Sequence, residues 1–176
     1  MTALERHEFQ RLLFRTAFCL MACDGHIDER EINEIKEMNK SSAYFHGINL
    51  SGELDELLQD LNENGNRIVD ELFEMLEKLE TSTVQELLLL EVSFRIIAAD
   101  KKEDENEKKF VRLLRSHLRV HDKIIRDRFG VVEYLFDKDY SQDIIKSETY
   151  EDLFSSLAIP DFKDLATVDF SQFTNE

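Results

Sequence analysis

Proline occurs once in the 176 residues, glycine five times and tryptophan not at all. So few chain breakers argue against a turn-rich β architecture and for long helices. With thirteen Phe and no Trp, the core is expected to be filled by Phe and Leu. Basic residues are also scarce, 22 Lys and Arg against 38 Asp and Glu, for a formal charge of −16. Such a chain repels phosphate backbones, which disfavours general nucleic-acid binding, and it attracts cations and basic partners. The two cysteines, Cys19 and Cys23, lie four apart on one expected helix. Neighbours on one helical face are poorly placed for a disulfide, so reduced thiols and a cytoplasmic location are expected. The most apolar windows, 9–23 and 84–99, are short and are interrupted by Arg15, Glu91 and Arg95, so they read as buried helices rather than membrane spans. The opening MTALERHEF carries three charges and does not read as a signal peptide. There is no Gly-rich phosphate loop, nucleophile elbow or HExxH pair, and we expect no enzyme.

What is present is helical periodicity. Phe9, Leu12, Leu13, Ala17, Leu20 and Met21 mark a helix over 4–23 that Asp24-Gly25 ends. A second starts at Asp28 with Ile32, Ile35 and Met38 on one face, and 39–51 reads as a loop. A short helix over 52–61 with Leu54, Leu57, Leu58 and Leu61, a turn at Asn62–Asn66 and a helix over 67–80 follow. Thr83 and Glu86 fit a capping box opening a helix to Ala99. Further helices are expected over 104–118 and 121–129, the latter ending at Gly130, with short ones near 131–136 and 149–157. The fold class is all-α, a compact bundle of about seven helices. Residues 1–129 form the helical domain, and 130–176, with eleven acidic and three basic residues, form an acidic extension that packs on it or trails from it.

A shift of 76 residues aligns two segments. Phe18 to Asp24 meets Phe94 to Asp100, and Asp24, Asp28 and Glu31 meet Asp100, Asp104 and Glu107. Ile35 and Met38 fall on Val111 and Leu114. Repeated units commonly stack as structural copies, so helix–acidic turn–helix twice implies a pseudo-twofold pair at the centre of a bundle.

The pattern Ala-x-Asp-Gly-x-Ile-Asp-x-x-Glu at Ala22 to Glu31, with a degenerate copy at Ala98 to Glu107, resembles the TerB tellurite-resistance family and is similar to the N-terminal domain of DjlA-type membrane-anchored co-chaperones. The resemblance covers about residues 5–120. It implies an all-helical bundle, a role around tellurite or metal stress and defence, a protein partner or peripheral association with a membrane complex, and paired acidic clusters that bind metal. By position those clusters are Asp24, Asp28 and Glu31, then Asp100, Asp104 and Glu107. The second copy departs from the pattern, with Lys101, Lys102 and Glu103 in place of Gly25, His26 and Ile27.

Read as chemistry, Asp24 to Glu31 mimics the back half of an EF-hand loop, but Leu20 and Ala22 stand where its front acidic ligands belong. Three carboxylates could still hold Ca²⁺, Mg²⁺ or Mn²⁺ with waters retained, and His26 could add an imidazole for a transition metal. Zn²⁺ fits less well, since Cys19, Cys23 and His26 fall short of four ligands and the cysteines sit on an apolar helix. Helix capping competes with ligation: Asp28 with Glu31, and Asp104 with Glu107, have capping-box spacing, worth about 1 kcal/mol per helix. In that alternative the chain is a metal-free interaction scaffold. His117 and His121, four apart, straddle a helix end and read as solvated or capping residues. Residues 101–128 hold ten Lys and Arg against six Asp and Glu, and Arg112, Arg115 and Arg119 share one helical face. That stripe is a candidate docking surface for an acidic partner, an anionic membrane face or the chain's own segment 148–170, against the plain reading of a solvated face.

Overall fold

The computed structural model describes residues 2–22, 29–39, 44–45, 48–64, 67–99 and 105–136. Among the described residues there are eight helices and no strand: α1 Ala3–Ala22, α2 Glu29–Asn39, α3 Leu50–Asn64, α4 Arg67–Lys78, α5 Thr83–Ala99, α6 Glu105–Ser116, α7 Asp122–Phe129 and α8 Glu133–Phe136.

Helix α1 is central because its second half has no polar face to present. Every residue from Thr16 to Ala22 is buried, with Ala17, Phe18, Leu20 and Met21 fully so, as is Phe14 one turn earlier. Thr16 is tolerated because its hydroxyl donates to the Leu12 carbonyl at 2.8 Å, and Ser93 in α5 does the same to Leu89 at 2.8 Å. Helix α5, buried through Leu89, Leu90, Val92, Ile96 and Ile97, makes the most extensive packing with α1. The other helices are amphipathic and lay one stripe onto this pair. Helix α4 contributes Ile68, Val69, Leu72, Phe73 and Leu76, a run at helical spacing that packs on α1. Helix α2 lies on α5, α6 lies on both α1 and α5, α3 packs on α1 and α4, and α8 covers α6.

The expectation of an all-α bundle holds, with four local differences. Helix α3 runs through Asn64, so Asn62 to Asn64 extend the helix instead of forming a turn. The start of α5 is capped one residue earlier than expected: Ser82 N–H donates to Gln85 Oε1 at 2.8 Å and Gln85 N–H to Ser82 Oγ at 3.2 Å. This reciprocal pair frees Glu86 for the interior. Helix α6 stops at Ser116, so Arg119 lies beyond it. Among the described residues the helices number eight against about seven expected, with α8 lying where a short helix near 131–136 is expected. Gly130 ends α7 as expected, at φ 78° and ψ −164°, a conformation essentially restricted to glycine, with its N–H bound to the Arg126 carbonyl. The expected helix near 149–157 lies outside the described residues. So does the extension beyond Phe136, of which only the root 130–136 is described.

Candidate functional site

The two acidic elbows connect α1 to α2 and α5 to α6. Asp24, His26, Asp28, Asp100 and Asp104 lie in those connections, outside the described residues. The two glutamates of the motif are described. Glu31 is the third residue of α2 and Glu107 the third of α6. Their exposures are 1% and 0%. Corresponding apolar positions are equally enclosed: Ile35 and Val111 at 0%, Met38 at 0% and Leu114 at 1%. Position 94 breaks the match, since Phe18 is fully buried and Phe94 only partly.

The burial of Glu31 and Glu107 can be set beside two capping boxes at the surface. Thr2 and Glu5 cap α1 reciprocally, with Thr2 N–H to Glu5 Oε2 at 2.6 Å and Glu5 N–H to Thr2 Oγ1 at 3.1 Å, and both are exposed. Ser82 is exposed too. A first-turn carboxylate gains from the helix dipole in water, but burying it costs several kcal/mol unless opposite charge or hydrogen bonds compensate. Among the described residues, no group of three or more His, Cys, Asp or Glu is placed to hold a metal. Any ligand set on this motif therefore needs the aspartates of the elbows.

The arginine stripe is not a solvent-facing row. Arg112 and Arg115 are buried, at 3% and 8% exposure, while Arg119 is exposed. Arg112 Nε donates to the Tyr134 carbonyl of α8 at 2.7 Å. Arg115 donates to the Leu118 carbonyl at 3.2 Å and to Asp122 Oδ1 at 2.6 Å, bridging the α6–α7 connection. Arg119 Nη2 reaches the Thr81 carbonyl at 3.0 Å. All three guanidiniums thus bind the chain's own groups, and Arg112 and Arg115 are buried because α6 turns this face toward α8 and the α6–α7 connection. Segment 148–170, one candidate occupant of this stripe, lies outside the described residues. Among the described residues, α8 reaches Arg112 and Asp122 of α7 reaches Arg115.

Sequence reasoning missed the residue that organises this end of the molecule. Glu86 is 2% exposed. Its carboxylate accepts from the backbone N–H of Arg119 at 2.8 Å and of Val120 at 2.7 Å, and from the Thr81 hydroxyl at 3.1 Å. It joins the start of α5 to the connection after α6. The available signal was an acidic residue inside the apolar run 84–99, which we assigned to a cap. Beside it lies a cavity of about 290 Å³ lined by Leu76, Glu77, Glu80, Thr81, His117 and Arg119 together with Glu86. Glu80 holds a left-handed backbone at φ 46° where α4 ends. His117 stacks on Phe73 at 4.4 Å, and burial pushes its imidazole below the ordinary histidine value against the pull of Glu77. His121 is exposed at the start of α7 and makes no side-chain cap hydrogen bond.

A second polar network also went unforeseen. Tyr44 donates to Glu91 at 2.8 Å, Arg95 pairs with Glu34 and donates to Tyr44 at 3.3 Å, and Arg128 binds Glu91 at 2.9 Å. It ties α2, α5 and α7 together. Cys19 is buried with a free thiol, which desolvation raises to about 12, so it is inert filler rather than a nucleophile. Cys23 lies outside the described residues.

These features define an all-α domain in which amphipathic helices wrap two buried ones, each followed by an acidic connection. The family model described as "Tellurite resistance protein TerB" matches residues 11–128. That span covers more than half of the chain, which therefore belongs to the TerB family. Comparison with curated proteins returns no match, and neither does comparison with solved structures. No described helix is long and apolar enough to cross a membrane.

Proposed function

We propose that this TerB-family chain is a non-enzymatic binding module of metal-stress or defence responses, tellurite among them, and that its acidic elbows take up a divalent cation. The observation that carries the reading is the complete burial of Glu31 and Glu107 at matched positions. Surface caps elsewhere in the chain do their work without burial. A carboxylate withdrawn from water at the head of a helix fits a site where positive charge is supplied. Asp24, Asp28 and Glu31 would hold the ion in the first elbow, with His26 available to a transition metal. Asp100, Asp104 and Glu107 would do so in the second, opposed by Lys101 and Lys102. A bound Ca²⁺, Mg²⁺ or Mn²⁺ would offset most of the carboxylate charge of the elbow and fix the angle at which α2 or α6 leaves its central helix. The loaded elbow then presents a defined surface to a protein partner.

Calorimetry with Ca²⁺, Mn²⁺ and Zn²⁺ tests this on the full chain. Saturable binding should be lost in the Asp24→Asn/Glu31→Gln double variant, and only weakened in Asp100→Asn/Glu107→Gln. No saturable uptake, or uptake indifferent to both variants, would end the metal reading.

The second reading is a metal-free scaffold with the same aspartates and glutamates as caps. It is favoured by the chain's own habit, since α1 and α5 both open with reciprocal caps of that spacing. Capture of the same partner by the wild type and by both double variants, in chelator, would select it.

A further inference from the structure

We propose that the surface of α5 and α6 that seats α8 is a peptide-docking site: α8 is its resident, inhibitory occupant, and a protein partner offering an aromatic–aliphatic pair on a short turn is its other occupant. The seat begins where the internal repeat departs from itself. Phe18 is enclosed in the core, but its counterpart Phe94 is only partly buried. The Phe94 ring meets Phe129 of α7 edge-on at 4.9 Å and Tyr134 of α8 at 6.3 Å. From α6, the buried Arg112 donates Nε to the Tyr134 carbonyl at 2.7 Å, and Lys108 Nζ lies 5.8 Å from the centre of the Tyr134 ring. The next residue, Leu135, is fully enclosed in the core cluster. Three features of the occupant are therefore read. The guanidinium takes a main-chain carbonyl, which any sequence offers. The aromatic ring and the cation above it select Tyr, and the apolar seat selects Leu.

The occupant is an insert rather than a helix that stands by itself. Helix α8 has four residues. An isolated helix needs roughly 12–15 to persist in water, so the seat imposes the shape of α8. Phe94, Lys108 and Arg112 lie within the family-matched residues 11–128, and α8 lies beyond them. Its link to α7 runs through Gly130, in a conformation essentially restricted to glycine, and through the exposed Val131. A short segment at the rim of a bundle opens at lower free energy than the central helices. The short tether gives α8 a high effective concentration at its seat, so α8 is the default occupant. A partner binds only the fraction of molecules in which α8 has detached, and its apparent affinity is reduced by that fraction. The site does not depend on a cation in the acidic elbows, so chelator is present throughout the test.

Hydrogen exchange of the full wild-type chain reads the detachment. The Leu135 amide, bound to the Val132 carbonyl at 3.0 Å, should exchange by local opening. After correction for intrinsic rates it should be at least about a hundredfold faster than the core amides of α5 and α6. A capped peptide of residues 131–136, Val-Val-Glu-Tyr-Leu-Phe, is the probe for docking in trans. Leu135→Asp expels α8, because a carboxylate is not stable at that enclosed position. This variant should bind the peptide at least about tenfold more tightly than the wild type, with chemical-shift changes at Phe94 and Arg112. Tyr134→Ala/Leu135→Ala should behave alike, and it carries the test if the first variant fails to fold. The peptide with both its Tyr and its Leu replaced by Ala should not bind. Exchange of α8 only together with α5 and α6, or no saturable binding to a folded variant, overturns the proposal. If neither variant folds, α8 is integral to the bundle and the proposal falls. Dimerisation of the wild type through exchanged α8 segments, read by sedimentation, would also overturn it by giving the seat to a second copy.

Discussion

Two charged regions of this molecule are built from the same residue types and are held by different physics. On the α1–α3 face, Arg11 bridges Glu8, Glu53 and Glu56, and Arg15 reaches Glu53 and Glu56, with Glu56 62% exposed. At the far end of α5 and α6, Glu86, Arg112 and Arg115 are buried, and most of their partners are backbone groups. In the first region Glu53 is buried but Glu56 stays wet, so the pairs made through Glu56 are worth little. The second has nothing to fall back on if a partner is removed, because backbone N–H and carbonyl groups would be left buried and unsatisfied. A charge is informative about stability only with its burial and its partner attached.

Substitutions should separate the two regions. Glu86→Ala strands the Arg119 and Val120 amides together and should cost about 3 kcal/mol or more, read as a lower urea midpoint. If it costs no more than a surface substitution, the contrast fails. Arg112→Ala removes the bond to the Tyr134 carbonyl and should cost about 2 kcal/mol, with faster hydrogen exchange at α8. Arg112→Lys should behave nearly as badly, since an ammonium does not reproduce the guanidinium geometry. On the other face, Glu56→Ala should cost less than about 1 kcal/mol, and the loss should shrink further in high salt. A larger, salt-independent loss would mean that the α1–α3 network behaves like the buried one.

The fold was legible because helices announce themselves. The apolar periodicity of α1 and α5, the scarcity of breakers and Gly130 gave element type and order, with boundaries within a few residues. The errors share a cause. Asn62 to Asn64 look like a turn in composition, but α3 gains enough from packing on α4 and α1 to keep them helical. Thr83 and Glu86 satisfy the capping pattern as well as Ser82 and Gln85 do, and the outcome turned on Glu86 having a buried task. Arg112, Arg115 and Arg119 share a face in a helical projection, yet α6 ends at Ser116 and α8 covers Arg112. Of the candidate site, the positions of Glu31 and Glu107 were read correctly at the head of α2 and α6, while their complete burial could not be read from spacing.

By itself the sequence determined the class of fold, the two apolar helices at its centre and the family to which the chain belongs. Those follow from short-range periodicity and from a motif, which are properties of neighbours along the chain. Only the tertiary structure decided which charges are buried, because the dielectric around a carboxylate or guanidinium depends on whichever distant helix lies across it. Glu86 beneath the α6–α7 connection is chemically ordinary as a letter, and acquires its properties from what packs against it.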